Sequence, residues 1–124
     1  MAERKAIILC VDDEDTPLTL RKLVLERMGY EVLTANSGEE ALRVLAEVRV
    51  DLVISDHLMP GMLGAELARR VKTLRPNLPF ILLSGVNEIP EDAKYADLFI
   101  SKVEGPASMC SKIAAVLAQE ATMN

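Results

Sequence analysis

Five short apolar runs, each ending at polar residues, constrain the fold of this chain more than any other feature. The first covers residues 6–11, is apolar throughout and is followed by Asp12 and Asp13. A run without polar alternation is typical of a strand that is buried on both faces of a parallel sheet. The remaining runs cover residues 30–35, 52–54, 80–83 and 98–100, and the run at 30–35 is interrupted by Glu31 and Thr34. We therefore predict five strands in one sheet.

The segment between the first two runs predicts a helix. Pro17 suits the first turn of a helix, and Gly29 can end it. Between them, apolar residues recur at helical spacing: Leu20, Leu23, Val24 and Met28. We expect these four side chains to face the sheet.

Further helices follow the second, third and fifth runs. Ser37 and Glu40 have the spacing of a capping box, which marks the start of a helix. In the next helix Leu67, Val71 and Leu74 are expected to point inward, and the last helix begins after the Gly-Pro pair at residues 105–106. Alternating strands and helices predict right-handed crossovers and a parallel sheet that is covered on both faces.

Charged and hydroxyl side chains follow the strands, at the edge of the sheet where such folds place their ligands. Asp12 and Asp13 follow the first run, Asp56 the third, Ser84 the fourth and Lys102 the fifth. Carboxylates that folding brings together repel each other unless a cation joins them. Because no cluster of His or Cys accompanies them, their oxygens favour Mg²⁺.

Composition excludes several classes of protein. Nineteen Asp and Glu against fourteen Lys and Arg give a net charge of −5, which disfavours direct binding of nucleic acid. The apolar runs are shorter than the ~18 residues of a membrane span, and Cys10 and Cys110 resemble small buried hydrophobes in a reducing compartment. We expect one cytoplasmic domain over residues 1–124, without an output domain. We also expect the side chain of His57 to lie on a solvent-facing loop.

Five motifs, taken in order, resemble those of response-regulator receiver domains. They are Val-Asp-Asp at 11–13, Val-Ile-Ser-Asp at 53–56, Met-Pro-Gly at 59–61, Leu-Ser-Gly at 83–85 and Phe-Ile-Ser-Lys at 99–102. Each motif alone is weak, but five in order are specific. The resemblance extends over essentially the whole chain. It implies a single doubly wound, flavodoxin-like (βα)5 domain of the α/β class, with a five-stranded parallel sheet in the order 2-1-3-4-5. The segment from Ser84 to Lys102 departs from the family because it is several residues short of the usual fourth helix, so we expect helix four to be short or irregular.

The resemblance also implies a phosphorylation site. Asp56 would be the phosphoacceptor, and Asp12, Asp13, Asp56 and the backbone carbonyl of Leu58 would bind Mg²⁺. Lys102 would contact the phosphoryl group. By this resemblance the protein is a signalling switch of a two-component system, with no enzymatic activity beyond its own phosphorylation and dephosphorylation.

Four further positions acquire roles from the same resemblance. Ser84 would be the hydroxyl switch residue and Phe99 the aromatic switch residue. Leu58 and Val86 would flank the path of attacking water. Because both are apolar and neither can orient water, we predict slow hydrolysis of the phosphoryl group.

The chain departs from the receiver pattern after Lys102. The family usually has a Pro there, preceded by a cis peptide bond, whereas this chain has Val103. A cis bond before Val would cost about 3–4 kcal/mol, so we expect a trans bond or a rearranged loop.

The expected partners are a sensor histidine kinase or phosphotransfer protein and a downstream effector protein. Two alternatives remain. One is an interaction module on the same fold that works without phosphorylation, although degenerate receivers usually lack an acid or the lysine. The other is a phosphatase-like hydrolase that uses Asp56 as a nucleophile, but such enzymes usually carry a second acid two residues on, where this chain has Leu58.

Overall fold

The computed structural model describes residues 4–85 and 93–123. The elements in chain order are β1 (Ile7–Val11), α1 (Asp15–Arg27), β2 (Glu31–Ala35), α2 (Gly38–Glu47), β3 (Leu52–Asp56), α3 (Gly64–Leu74), β4 (Phe80–Ser84), a 3₁₀ turn (Ala93–Tyr95), β5 (Leu98–Ser101) and α4 (Pro106–Met123). Strands and helices alternate in the predicted order.

Within the described residues, five parallel strands form one sheet in the order β2-β1-β3-β4-β5, which confirms the predicted topology. Val11 of β1 is level with Ser55 of β3, and Ser84 of β4 is level with Ser101 of β5. The carboxyl ends of these strands therefore meet at one edge. The chain switches from one side of β1 to the other between β2 and β3, and this reversal opens the crevice in which such folds bind ligands.

Apolar side chains from both faces of the sheet are buried, as the unbroken strand sequences predict. On one face Leu9, Val53 and Leu82 pack with residues of α2 and α3. On the other face Cys10 and Ile54 pack with residues of α1 and α4. Helices therefore cover the sheet on both sides.

The predicted inward face of α1 is wrong for three of its four residues. Leu18 and Leu25 are buried and Val24 is partly buried against the same cluster, whereas Leu20, Leu23 and Met28 are exposed. At 100° per residue, Leu20 and Leu23 lie on the side of the helix away from Leu18 and Leu25, and Met28 lies beyond its last residue. Two sets of apolar residues compete along this helix, and only one can face the sheet.

Two further details concern the other helices. Leu67 and Val71 of α3 are buried as predicted, but Leu74 at its end is exposed. Of the segment in which a short or irregular helix is predicted, the structure describes the three-residue turn Ala93–Tyr95, and residues 86–92 lie outside the described residues. Among the described residues, no helix is long and apolar enough to cross a membrane.

Candidate functional site

Three carboxylates converge at the carboxyl edge of the sheet. Asp12 and Asp13 follow β1, and Asp56 is the last residue of β3, the strand beside β1. One oxygen from each carboxylate lies within 4.8 Å of the others. Asp12 and Asp56 are buried, at 3% and 2% exposure, while Asp13 is exposed. The structure therefore brings together the three acids that the strand ends predict.

Lys102 reaches this cluster from the end of β5. Its Nζ forms an ion pair with Oδ1 of Asp56. Its backbone N–H donates to the carbonyl of Ser84 at 2.8 Å, so β4 and β5 hold the lysine beside the acids. The end of β5 thus supplies a cation to the buried carboxylate.

The environment of Asp56 disfavours its charged form. Burial raises the pKa of this carboxyl, and the negative charge of Asp12 raises it further, while Lys102 acts in the opposite direction. Apart from the ion pair with Lys102, buried Oδ1 of Asp56 has no hydrogen-bond partner among the described residues. Lys102 therefore provides the one opposite charge that the described residues place against this buried oxygen.

The donor set fits a hard divalent cation. Three carboxylates within reach of one ion, two of them buried, provide the oxygen ligands that Mg²⁺ prefers. The site could therefore hold Mg²⁺ through Asp12, Asp13 and Asp56. Leu58, whose backbone carbonyl is a further predicted ligand, follows β3 by two residues and has an exposed side chain.

Asp12 is held from two sides. Its Oδ1 accepts the backbone N–H of Glu14 at 3.0 Å, and Nη1 of Arg21 lies 3.4 Å from its Oδ2. The side chain of Arg21 is only 11% exposed. Sequence reasoning missed Arg21, because its position between Leu18 and Leu25 marks it as inward only once these two leucines are known to face the sheet. An arginine in a buried stripe needs a partner.

The predicted switch residues occupy two neighbouring strands. Ser84 is buried at the end of β4, and Phe99 lies on β5 with 38% of its surface exposed. The β4–β5 register pairs Ser84 with Ser101 and Phe99 with Leu82. The prediction for Val86 lies outside the described residues.

His57 is buried, so the interpretation of a solvent-facing loop residue is wrong. Its Nδ1 accepts the backbone N–H of Ala65 at 3.2 Å, and its carbonyl accepts that of Gly64 at 2.8 Å. A helix start leaves N–H groups without partners inside the helix, and His57 supplies partners for two of them. His57 therefore fixes the start of α3 against the end of β3.

Gly64 allows this close approach. A Cβ added at this position would lie 2.3 Å from the carbonyl oxygen of Asp56 and 2.8 Å from the Cα of His57. Only a residue without a Cβ fits without a shift of the backbone. The loop that carries Leu58 is thus closed by a helix that begins directly against Asp56.

The loop between β5 and α4 is organised by Glu104. Its Oε2 accepts the backbone N–H of Ser101 at 2.9 Å, and its Oε1 accepts from Ser108 at 2.6 Å and from Nζ of Lys112 at 2.5 Å. The described residues contain no cis peptide bond, so the Lys102–Val103 bond is trans, as predicted. These contacts hold the loop where the family usually has Pro.

A cavity of about 450 Å³ opens beside the acidic cluster, between α1 and the β5–α4 loop. Its lining includes Asp12, Arg21, Leu83, Lys102, Glu104 and Met109. Both cations that contact the buried acids therefore border the same cavity.

The fold is that of a known family. The sequence model of the response regulator receiver domain family matches residues 8–114 of this chain. The chain belongs to this family, and it is a receiver domain of two-component systems. Sensor kinases as well as response regulators are among its curated relatives.

Individual relatives agree with this assignment. The transcriptional regulatory protein GlrR of Escherichia coli K12 is 43% identical over 91 residues, which are 73% of this chain and 20% of GlrR. The chain thus spans about a fifth of that relative. A receiver domain protein (CheY-like) from Methanospirillum hungatei superposes with a TM-score of 0.91 at 29% identity, over 98% of this chain and 100% of that chain.

A third relative has been solved with ligands. The response regulator TrrA of Thermotoga maritima, in complex with Mg²⁺-BeF, superposes with a TM-score of 0.84 at 33% identity. The match covers 89% of this chain and 97% of the TrrA chain.

Proposed function

We propose that this domain is a phosphorylation-controlled switch in which Asp56 accepts a phosphoryl group in a Mg²⁺-dependent step. The observation that carries the proposal is the buried carboxylate of Asp56, whose Oδ1 pairs with Lys102 and which supplies one oxygen to the acidic cluster. The complex of TrrA with Mg²⁺-BeF supports the same ligands for this chain.

The phosphoryl donor is a phosphohistidine of a sensor kinase or phosphotransfer protein. A carboxylate oxygen of Asp56 forms a bond to phosphorus while the N–P bond of the donor breaks. The electron pair of that bond returns to the imidazole, which takes a proton from solvent. Lys102 offsets negative charge on the phosphoryl oxygens, and a bound Mg²⁺ would supply further charge neutralisation.

The acyl phosphate is expected to act on the strand ends beside it. It adds a dianionic group with three acceptor oxygens next to Ser84, which can donate a hydrogen bond to it. Phe99, which is exposed on β5, is then expected to move into the space that the loop after β4 leaves. The change alters the affinity for an effector protein, because that protein binds one of the two arrangements better than the other.

The chemistry of the chain is confined to its own phosphorylation and dephosphorylation at Asp56. A cytoplasmic location is part of the proposal because free, buried Cys10 and Cys110 fit a reducing compartment. The alternative of a module that works without phosphorylation is disfavoured, since Asp12, Asp13, Asp56 and Lys102 are all present and adjacent.

The test is incubation with acetyl phosphate and Mg²⁺, followed by intact-mass and peptide mass spectrometry. We expect one added phosphoryl group, located on Asp56, that is absent when Mg²⁺ is chelated. Asp56→Asn is expected to abolish the modification, whereas Asp15→Asn makes the same chemical change outside the cluster and should retain it. Absence of modification, or modification that persists in Asp56→Asn, would contradict the proposal.

A further inference from the structure

Arg21 is a cation in a position that the fold otherwise reserves for apolar side chains. It lies three residues after Leu18 and four before Leu25, the two buried residues of α1. This spacing places all three on the face that packs against the sheet. Its guanidinium is therefore brought to the carboxyl edge of the sheet, where Nη1 lies 3.4 Å from Oδ2 of Asp12.

The ion pair lies largely out of solvent. The side chains of Arg21 and Asp12 are 11% and 4% exposed. Charges in such a place interact more strongly than on an open surface, because water screens them less. The charge of Arg21 therefore interacts strongly with any ion that binds to Asp12.

The charges at the site can be counted in two states. Without ligands, three carboxylates face the two cations Arg21 and Lys102, which leaves one net negative charge. Phosphorylation turns Asp56 into a group with about two negative charges. With a divalent cation also bound, the site is close to neutral only because Arg21 contributes its positive charge.

We propose that Arg21 is an internal counter-ion of the site, an inference that rests on the proposed function. Its charge weakens binding of the divalent cation before phosphorylation and stabilises the phosphorylated state. The two effects have opposite signs because the same charge repels Mg²⁺ and attracts the incoming anionic group. A merely structural role for Arg21 would change both affinities in the same direction.

The test compares Arg21→Met with wild-type protein by isothermal titration calorimetry. Methionine keeps an unbranched apolar chain in the buried stripe and removes the charge. Binding of Mg²⁺ alone is expected to become roughly fivefold tighter. Binding of beryllofluoride, a phosphoryl mimic, at saturating Mg²⁺ is expected to become roughly twofold weaker.

Two variants provide the controls. Arg21→Lys keeps the charge and should stay close to wild type in both titrations. Lys22→Met removes the same charge from the next position of α1 and should change neither affinity appreciably. If Arg21→Met does not fold, Arg21→Gln makes the same charge change with a polar end.

The outcomes separate this inference from the function on which it rests. If wild-type protein binds Mg²⁺ and beryllofluoride but the charge-removing variant weakens both or changes neither, the counter-ion role is wrong and the switch stands. If wild-type protein binds neither ligand, the proposed function fails and the counter-ion role fails with it.

Discussion

Glu104 accepts the backbone N–H of Ser101 at 2.9 Å, across the turn that joins β5 to α4. The same carboxylate accepts from Ser108 and Lys112 on α4, so one side chain ties the end of the strand to the first turns of the helix. Lys102, the cation that contacts Asp56, lies inside the segment that these bonds close. The geometry of the loop therefore depends on the charge of Glu104.

Acid should weaken this connection. The bonds from Lys112, Ser108 and the Ser101 N–H lower the pKa of Glu104 to about 2. A carboxyl whose pKa is lower in the folded state stabilises the fold above its ordinary pKa of about 4.3, and this contribution is lost as pH falls towards 2. Wild-type protein should therefore lose more stability between pH 5 and pH 2 than Glu104→Gln. Urea unfolding across this range measures the difference.

The matched control for this prediction is Glu66→Gln. Glu66 pairs with Arg70 one turn along the exposed face of α3, where an ion pair contributes little. The stability of Glu66→Gln should therefore depend on pH in the same way as that of wild-type protein. Equal acid sensitivity of Glu104→Gln and wild-type protein would show that the carboxylate does not hold the loop.

Gly64→Ala should destabilise the fold at the phosphoacceptor. The added Cβ would lie 2.3 Å from the carbonyl oxygen of Asp56, which the backbone cannot accommodate without shifting α3 or β3. Overpacking of this kind costs about 1–3 kcal/mol. At Gly105 a Cβ would meet nothing within 4 Å, so Gly105→Ala is the control. Thermal and urea unfolding should separate the two variants, and equal stability would contradict the assigned role of Gly64.

The parts of the site that depend on strand ends could be predicted from the sequence, because unbroken apolar runs mark buried parallel strands. Asp12 and Asp56 directly follow or end such runs, and neighbouring strands bring them together. The roles of His57 and Arg21 could not be predicted in this way. They depend on how a helix packs against the sheet edge, and local sequence around each residue is equally compatible with a solvent-exposed side chain.

The wrong prediction for the inward face of α1 has the same cause, because it too depends on how a helix packs against the sheet. Leu20 and Leu23 have helical spacing, and so do Leu18 and Leu25, so periodicity alone does not choose between them. Packing against the sheet decides which set is buried, because only one side of α1 can contact the sheet. Had Leu18 and Leu25 been recognised as the inward pair, Arg21 would have been placed at the acidic edge.

The thiol of Cys10 should be unreactive in the folded protein. Cys10 lies on β1, an interior strand between β2 and β3, with no exposed surface, and the structure contains it as a free thiol. In a Cys110→Ala background, a maleimide should label it only at the rate of unfolding. Labelling followed by mass spectrometry, with and without urea, measures this rate. Rapid labelling in native buffer would show that β1 opens far more readily than its burial predicts.

Leu58→Asn should shorten the lifetime of the phosphorylated protein. Leu58 lies two residues after Asp56, with its side chain 52% exposed, and it offers no group that could orient an attacking water. An amide at this position can accept and donate hydrogen bonds to water, so hydrolysis of the acyl phosphate should accelerate. Release of inorganic phosphate after removal of the phosphoryl donor measures the rate. Leu63→Asn, at another exposed leucine of the same loop, is the control and should leave the rate unchanged. A wild-type lifetime of seconds that Leu58→Asn does not alter would show that the apolar side chain does not protect the phosphoryl group.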